Sequence, residues 1–392
     1  MKQVIAVTTQ SLQAIPQRWS TSIVTIVGVA GVVAVFVAML SMATGFKKTM
    51  ENGVDDANVV ILRDGSSSEL DSGLSNEQVN LIEQAPGLAS NGEGPLSSAE
   101  LYVVVDLKKK STGTDANVPM RGVGPQAMAV RDNIEIIDGR MFEPGKAELI
   151  AGRGAASQFQ GLAVGSVLRF GQSEWTVVGH FSANGGAAES ELWTDVKVLQ
   201  PAYRRGNSFQ SVYARLSSAD ALTEFSDALS TDPRLSVEVM RERDYYTGQS
   251  QALSGFITGI GYTIAILMAL GAIFGTVNTM YSAVSERSRE IATLKALGFG
   301  GLSIVVSVLV EALVLAIIGG ALGGGLAWLI FNGFTVSTLN FSGFSQVVFA
   351  FAVTPGLLIQ GIVMAVTIGL LAGFFPAVRA ASKPVSAALR DL

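Results

Sequence analysis

The chain has 392 residues, of which 49% are apolar and only 15% charged, and its mean hydropathy is +0.42. This composition excludes an ordinary soluble globular domain of the same length, because such domains carry about 25% charged residues. The net charge of −5 gives no support to nucleic-acid binding, and a chain without cysteine forms no disulfide bonds.

The first long uncharged run, residues 19–46, predicts a membrane-spanning helix over residues 21–45. About 20 apolar residues are enough to cross a bilayer core of roughly 30 Å. A signal peptide is the competing interpretation, but this run is about twice the roughly 7 to 15 apolar residues of a signal core, and no clear cleavage site follows it. We therefore predict an uncleaved anchor, preceded by an amphipathic cytoplasmic segment at residues 1–20.

A folded domain is predicted for residues 46–255, where charged residues are frequent and no cysteine occurs. Alternating or continuous apolar runs typical of strands are mixed with segments that have a helical apolar spacing, so the predicted class is α+β. The strand-like runs are residues 58–62, 101–107 and 174–181, and the helix-like ones are residues 76–85 and 218–229.

Three further spans are predicted in the remainder of the chain. Residues 312–378 contain no Asp, Glu, Lys or Arg, which is long enough for two crossings, and a Gly-, Ser-, Thr- and Asn-containing break divides them. The predicted boundaries are 256–284 for the second span, 302–331 for the third, 332–352 for a short outer loop, 353–375 for the fourth span and 376–392 for a cytoplasmic tail.

Charge distribution predicts the orientation in the membrane. The domain carries 19 Lys or Arg against 28 Asp or Glu, whereas the rest of the chain carries 8 against 4. By the positive-inside rule, the termini and the loop between the second and third spans face the cytoplasm, and the domain faces outward. The eight cations are Lys2, Arg18, Arg287, Arg289, Lys295, Arg379, Lys383 and Arg390.

The charged stretch 285–301 lies between two almost uncharged segments and predicts a short amphipathic helix. One face would carry Ile291, Leu294 and Leu297, and the helix would stop at the glycines that begin at Gly298. The spacing leaves two interpretations open. The charges either cap the membrane surface, meeting water and lipid headgroups, or they dock a cytoplasmic partner.

Five segments of the chain carry a resemblance to a known family. ERSREIATLKALGFGGLSIVVSVLVEALVLAIIGGALGG (286–324) is similar to the signature region of the MacB/LolC/LolE/FtsX-like permeases of ABC transporters, and GFFPAVRAASKPVSAALRDL (373–392) resembles their ending. The remaining three also look like the corresponding pieces: the entry SLQAIPQRWSTSIVTIVGV (11–29), the stretch DGRMFEPGKAELIAGRGAASQF (138–159) and VGSVLRFGQSEWTVVGHF (164–181). The resemblance implies one span, a large outer domain and then three spans.

The resemblance also implies a role for the charged stretch. In this family the helix between the second and third spans is the coupling helix, which sits in a groove of the ATPase subunit. The residues that would take this role here are Glu286, Arg287, Arg289, Glu290, Leu294 and Lys295.

The expected partners follow from the same resemblance. No G-x-x-x-x-G-K-[ST] motif follows a strand in this sequence, so we expect a permease without a fused ATPase domain that binds no cofactor itself, with ATP and Mg²⁺ bound by a separate ATPase dimer. A second permease copy or a homologous permease, a periplasmic adaptor and an outer-membrane channel are the further expected partners. The expected location is the bacterial inner membrane, with the large domain in the periplasm.

The expected function is mechanical coupling of ATP hydrolysis to movement of the outer domain, for export or extraction of cargo, in a chain that is not itself an enzyme. An FtsX-like signalling subunit that activates a cell-wall hydrolase is the alternative. A passive membrane-anchored receptor is disfavoured, because it would have no use for a coupling helix.

Glycines in the second and third spans indicate close helix packing, either between helices of one chain or between two permeases. Glycine enrichment common to all membrane helices is the competing explanation. The glycines are Gly271 and Gly275 in the second span and Gly319, Gly320, Gly323 and Gly324 in the third.

Glu311 is the one ionisable residue of the predicted third span. It would lie about 14 Å into the membrane, where an unpaired charge costs several kcal/mol, so it should face protein. Interhelical hydrogen bonding, contact with the cytoplasmic interface and a proton relay are the three interpretations. No catalytic or metal-binding set is predicted, and His180, the only histidine, is expected to pack at a strand end.

Overall fold

The computed structural model describes residues 2–13, 19–171, 173–341 and 343–382. The helices are α1 (Lys2–Gln13), α2 (Trp19–Glu51), α3 (Asn76–Glu83), α4 (Ala127–Val130), α5 (Arg153–Gln158), α6 (Val196–Ala202), α7 (Leu222–Thr231), α8 (Glu242–Glu286), α9 (Ser288–Ala296), α10 (Gly301–Phe331) and α11 (Pro355–Ser382). Three of the predicted cytoplasmic cations, Arg18, Lys383 and Arg390, lie outside the described residues.

The strands are β1 (Asn58–Arg63), β2 (Leu74–Ser75), β3 (Ser90–Asn91), β4 (Gly94–Pro95), β5 (Ser97–Lys108), β6 (Asp115–Val123), β7 (Glu135–Gly139), β8 (Glu148–Gly152), β9 (Val167–Phe170), β10 (Ser173–Ser182), β11 (Leu192–Asp195), β12 (Ser208–Phe209), β13 (Ser211–Arg215), β14 (Val237–Arg241), β15 (Thr335–Asn340) and β16 (Ser345–Ala350).

The chain forms two compact units. The helical unit comprises Met1–Thr44, Gly255–Phe334 and Phe351–Leu392, and the α+β unit comprises Gly45–Ser254 and Thr335–Ala350. Among the described residues, four helices are long and apolar enough to cross a membrane: α2, α8, α10 and α11. The predicted fold class, four spans with an α+β domain between the first and the second, is confirmed.

In the helical unit, α10 packs between α2 and α11. The three helices share a buried apolar core that includes Val33 and Val37 of α2 and Ala365 and Ile368 of α11. α8 is more peripheral, since only 17% of its most apolar stretch is buried, against 39 to 44% of the corresponding stretches of the other three helices. It contacts α2 through a Thr25–Thr279 hydroxyl hydrogen bond of 3.1 Å, among other contacts.

The α+β unit is built on a ten-stranded sheet with the order β14-β1-β13-β5-β6-β11-β8-β10-β7, in which β9 pairs with β10. Most neighbours are antiparallel, and β10/β8 and β11/β6 are parallel. α3 and α7 cover the end of the sheet that contains β1 and β13, and α5 and α6 cover the central strands. Each of these two regions has its own apolar core. The predicted strands correspond to β1, β5 and β10, and the predicted helices to α3 and α7.

The predicted outer loop at residues 332–352 is wrong in its conformation, because most of it is a hairpin. β15 and β16 pair in register from Thr335↔Ala350 to Asn340↔Ser345, and the turn holds Phe344 at a φ of 46°. The polar residues that suggest a loop do not exclude a strand, since Ser345 and Gln346 begin β16, whose first five residues are all buried. The hairpin belongs to the α+β unit, where the Ser345 hydroxyl is hydrogen-bonded to that of Tyr102 at 2.7 Å.

Three span boundaries also differ from the hydropathy pattern. α2 continues to Glu51 and α8 begins at Glu242, both inside the segment predicted as the outer domain, and α11 continues to Ser382, into the segment predicted as the C-terminal tail. Hydropathy marks where apolar side chains begin, whereas a helical backbone continues through any residues of adequate helix propensity.

Candidate functional site

The charged stretch forms a separate short helix, α9, between two candidate spans. Arg287 interrupts the helical path between α8 and α9 with φ −95° and ψ 8°. α9 ends in a Schellman motif, in which Gly298 takes a φ of 87° and the Phe299 N–H donates to the Leu294 carbonyl at 3.0 Å. Glycine has no Cβ and adopts this φ without strain, so Gly298 determines where α9 ends.

Half of the predicted coupling residues are exposed, on α9 and at the end of α8. Arg289 and Glu290 lie with Thr293 on the exposed face of α9, and Glu286 is the last residue of α8. Leu297, at the end of the helix, is 72% exposed. An exposed face that combines charges of both signs with a large apolar side chain suits contact with a protein better than contact with water alone.

The other three predicted coupling residues turn toward the rest of the helical unit. Leu294 is half-buried, and the Lys295 ammonium donates to the Ala381 carbonyl of α11 at 2.6 Å. Arg287 donates from Nη1 to the Glu311 carboxylate at 2.9 Å and to the Ser11 hydroxyl at 2.6 Å. These three residues hold α9 in place, so the predicted set divides into an outward and an inward group.

Glu311 is buried in α10 and paired. Its side chain is 10% exposed and accepts hydrogen bonds from Arg287 of the α8–α9 junction and from Ser11 of α1. Of the three interpretations of Glu311, the geometry corresponds to interhelical hydrogen bonding. The bonds made by Ser11, Arg287 and Lys295 bring α1, α9, the first half of α10 and the end of α11 together at one end of the helical unit.

The four predicted packing glycines of α10 make contacts within the chain. A Cβ on Gly319 would lie 2.8 Å from the Ile26 carbonyl oxygen of α2, and one on Gly320 would lie 2.7 Å from Ala365 of α11. Gly323 lies against Ala30 of α2, and Gly324 lies against Leu358 of α11. The glycines of α8 differ, because no other described part of the chain comes within 4 Å of a Cβ on Gly271 or Gly275.

Sequence reasoning missed a cluster of five charged side chains inside the α+β unit, which we call the Arg121 cluster. The Arg121 side chain, 2% exposed, donates to Glu69 at 2.6 Å, to Glu100 at 2.9 Å and to Glu191 at 2.7 Å, and Arg131 donates to Glu100 at 2.7 Å. The members come from β5, β6, a 3₁₀ turn and two loops. Glu100 in β5 and Arg121 in β6, each between uncharged neighbours in the sequence, are the sequence signal of this cluster.

Opposite charges around Glu100 and Arg121 hold both of these side chains in their charged forms. Burial alone would raise the pKa of Glu100, but the Arg131 and Arg121 guanidinium groups outweigh burial and hold that pKa below its usual range. Burial likewise disfavours the charged form of Arg121, but Glu191 and Glu69 raise its pKa well above the ordinary value. Arg131 also lies over the Tyr213 ring, 3.9 Å from its centroid.

Glu100 makes the stability of the α+β unit depend on pH. Because the folded-state pKa is below 4.5, the folded unit binds fewer protons than the unfolded chain, so this contribution is complete above pH 4.5 and is lost as pH falls through the folded-state pKa. We expect Glu100→Gln to lower the free energy of unfolding by about 2 kcal/mol at pH 7, with the difference from wild type shrinking toward pH 3.

Denaturant titrations of the full chain in detergent test this expectation. The Trp175 and Trp193 side chains are fully buried in the α+β unit, so their fluorescence can report its unfolding in a background in which Trp19 and Trp328 are replaced by Phe. A difference between Glu100→Gln and wild type that is the same at pH 7 and pH 3 would contradict the assigned ionisation.

Comparison with known families agrees with this architecture. Residues 22–232 match the model of the MacB-like periplasmic core domain, and residues 262–385 match that of the FtsX-like permease C-terminal domain. The first match alone spans more than half of the chain. The chain belongs to the MacB/FtsX-like family of ABC transporter permeases. The predicted resemblance is therefore confirmed, and this permease is a membrane protein with a periplasmic-type domain.

Two curated relatives are similar to this permease. The macrolide export ATP-binding/permease protein MacB 1 of Aeromonas hydrophila is 24% identical over 237 residues, 55% of this chain and 36% of the relative. The corresponding MacB of Bdellovibrio bacteriovorus is 25% identical over 430 aligned residues, 97% of this chain and 61% of the relative. This permease thus spans less than two thirds of either relative.

Two solved structures are similar to about half of this permease. The extracellular domain of the noncanonic ABC-type transporter YknZ from Gram-positive bacteria has a TM-score of 0.36 and 17% identity, covering 47% of this chain and 99% of that one. The periplasmic region of MacB from Actinobacillus actinomycetemcomitans has a TM-score of 0.37 and 14% identity, covering 49% of this chain and 92% of that one.

Proposed function

We propose that this permease couples ATP hydrolysis by a separate ATPase subunit to movement of its periplasmic domain, for export or extraction of cargo. The observation that carries the proposal is α9, an exposed charged helix between two candidate spans whose inward side is fastened to α10 and α11. A helix in this position can receive a force from a cytoplasmic partner and pass it to the spans.

The relatives support the assignment of the energy source. The Bdellovibrio bacteriovorus relative is named an ATP-binding/permease protein, and this permease aligns with 61% of it. In the proposed complex, ATP and Mg²⁺ are bound by the ATPase partner, this chain binds no cofactor and performs no catalysis, and a second copy or a homologous permease completes the assembly. A periplasmic adaptor and an outer-membrane channel are further proposed partners.

The proposed location is the bacterial inner membrane, with both termini and α9 in the cytoplasm and the α+β unit in the periplasm. The excess of cations on the termini and around α9 supports this orientation. The meeting of α1, α9 and the end of α11 at one end of the helical unit also supports it, because it places those segments on one side.

Charge reversal on the outward face of α9 tests the proposal. We expect Glu290→Lys to weaken ATPase binding about tenfold, equivalent to roughly 1.4 kcal/mol, because a favourable interfacial charge becomes a repulsive one. The measurement is the amount of ATPase recovered when the tagged permease is purified from its own membranes and its partners are identified by mass spectrometry. Arg289→Glu, on the same face, should have the same effect.

The matched control is Glu224→Lys, the same reversal on the exposed surface of α7 in the α+β unit, which should leave recovery unchanged. Equal recovery with Glu290→Lys, Arg289→Glu and wild type would count against docking at α9. Recovery of a cell-wall hydrolase in place of transport components would instead favour the FtsX-like signalling alternative.

A further inference from the structure

One guanidinium group joins three separate helices of the helical unit. Arg287 lies at the junction of α8 and α9, and its side chain is only 11% exposed although the residue lies in a charged stretch. Nη1 reaches both the Glu311 carboxylate of α10 and the Ser11 hydroxyl of α1. These three residues form what we call the Arg287 knot.

The knot is a closed ring of hydrogen bonds. Arg287 donates to Glu311 at 2.9 Å and to Ser11 at 2.6 Å, and the Ser11 hydroxyl donates to the same Glu311 oxygen at 3.0 Å. Ser11 is 1% exposed and Glu311 is 7% exposed, so water has little access to the ring. A charge-assisted ring of this kind resists opening, because each member that leaves strands a buried partner.

α9 is fastened at both ends. The knot holds its N-terminal end to α10, and the bond from Lys295 to the Ala381 carbonyl holds its C-terminal end to α11. The outward face is connected to the knot as well, because the Glu290 carboxylate accepts from Arg287 Nε at 3.4 Å. A displacement applied at Glu290 therefore reaches α10 through two charged contacts.

The knot also includes α1, which lies along α10. Besides the Ser11–Glu311 bond, the Ser307 hydroxyl of α10 donates to the Val7 carbonyl of α1 at 3.3 Å. Val7 and Ser307 are buried, so α1 covers this part of α10. The ring consequently ties α9, α10 and α1 into one body.

We propose that Arg287 is a positioning residue that ties α9 to α10 and α1 through Glu311 and Ser11, so that α9 moves only together with the third span. The proposal rests on the proposed function, since it assigns to α9 a force received from the ATPase. Arg287 then does not belong to the docking surface. It converts a push on the surface of α9 into motion of α10.

Distance measurement between spin labels tests the tie without any partner protein. The chain has no cysteine, so Thr293→Cys on α9 and Leu322→Cys on α10, both exposed, can be labelled in the otherwise unchanged full-length permease. We expect a narrow distance distribution in the parent. Arg287→Ala should make it about twofold wider, because α9 is released at one end. Arg287→Lys keeps the positive charge and a hydrogen-bond donor group. Its distance distribution should be nearly as narrow as that of the parent.

Two further variants keep the test decisive. Arg289→Ala removes an exposed guanidinium two residues away on the outward face and should leave the distribution narrow. Glu311→Gln is nearly isosteric, so it leaves no cavity in α10, and it should widen the distribution as Arg287→Ala does. The double variant should be no wider than either single one, because both remove the same interaction.

The outcomes separate the knot from the proposed function. Equal widths for Arg287→Ala and the parent, equal widening by Arg289→Ala, or additive widening in the double variant would each overturn the proposal. If no ATPase is recovered with the wild-type permease, the proposed function fails, while the label distances still decide whether Arg287 ties α9 to α10.

Discussion

Replacing Arg121 by Met is expected to lower the free energy of unfolding of the α+β unit by about 3 to 5 kcal/mol. Arg121 is 2% exposed and is the common partner of Glu69, Glu100 and Glu191. Its removal leaves Glu69 and Glu191 buried without a cationic partner in the Arg121 cluster, and only Glu100 keeps Arg131. Methionine fills much of the volume, so the loss reflects uncompensated charge more than a cavity.

Arg140→Met is the matched control. Arg140 also makes a two-pronged ion pair, with Glu148 at 2.7 and 2.8 Å, but its side chain is 49% exposed. Water screens this pair, so we expect a loss of less than about 1 kcal/mol. The measurement is chemical denaturation of the detergent-solubilised chain at pH 7, followed by the fluorescence of Trp175 and Trp193.

A second comparison identifies the cause of the loss at Arg121. Adding Glu69→Gln and Glu191→Gln to Arg121→Met neutralises the stranded carboxylates, and should recover part of the lost stability. A loss at Arg121 no larger than that at Arg140, or no recovery in the triple variant, would show that charge compensation does not stabilise the unit.

Sequence patterns predicted the parts of this protein that depend on local composition. The uncharged run before Phe46 predicted α2, and the strand-like run at residues 58–62 predicted β1, because hydropathy and alternation are properties of neighbouring residues. The glycines after Leu297 predicted the end of α9 for the same reason. Chain direction through the membrane depends on the distribution of charge along the chain and stays a prediction.

Long-range pairing could not be predicted in the same way. The requirement that Glu311 face protein follows from the cost of a buried charge, but its partners lie 24 residues away at Arg287 and 300 residues away at Ser11. The Arg121 cluster gathers residues from across the α+β unit. Nothing in a single strand specifies that Glu100 of β5 and Arg121 of β6 will lie diagonally on neighbouring strands, with their side chains 2.9 Å apart.

The hairpin illustrates a different failure of the sequence pattern. The Gly, Ser, Thr and Asn content of residues 332–346 predicts a loop, yet Val347 and Val348, which follow directly, are buried in the α+β unit. The Val348 N–H donates to the Ser190 hydroxyl at 2.9 Å, an interaction between residues 158 apart in the chain. Strand formation here depends on packing against the rest of the α+β unit, which the sequence of the hairpin alone does not reveal.

Gly323→Leu is expected to destabilise the helical unit by about 3 kcal/mol, because α10 and α2 approach too closely there for any side chain. A Cβ on Gly323 would clash with the Ala30 carbonyl oxygen, and backbone atoms cannot rotate away as a flexible side chain can. α2 must therefore shift, which opens the buried core around Val33. The same shift would move Gly319 away from Ile26 and loosen the contact one turn earlier.

Gly325→Leu gives the matched control within the same helix. Gly325 is exposed, and no other described part of the chain comes within 4 Å of a Cβ built on it, so the larger side chain meets no obstacle inside the chain. We expect a fall in Tm of roughly 6 to 12 °C for Gly323→Leu and almost none for Gly325→Leu, measured as loss of the monodisperse peak after heating in detergent. If both variants have the same Tm, the close approach of α10 to α2 at Gly323 does not stabilise the helical unit. If Gly325→Leu alone is impaired, the exposed side of α10 carries a contact with another molecule in the membrane.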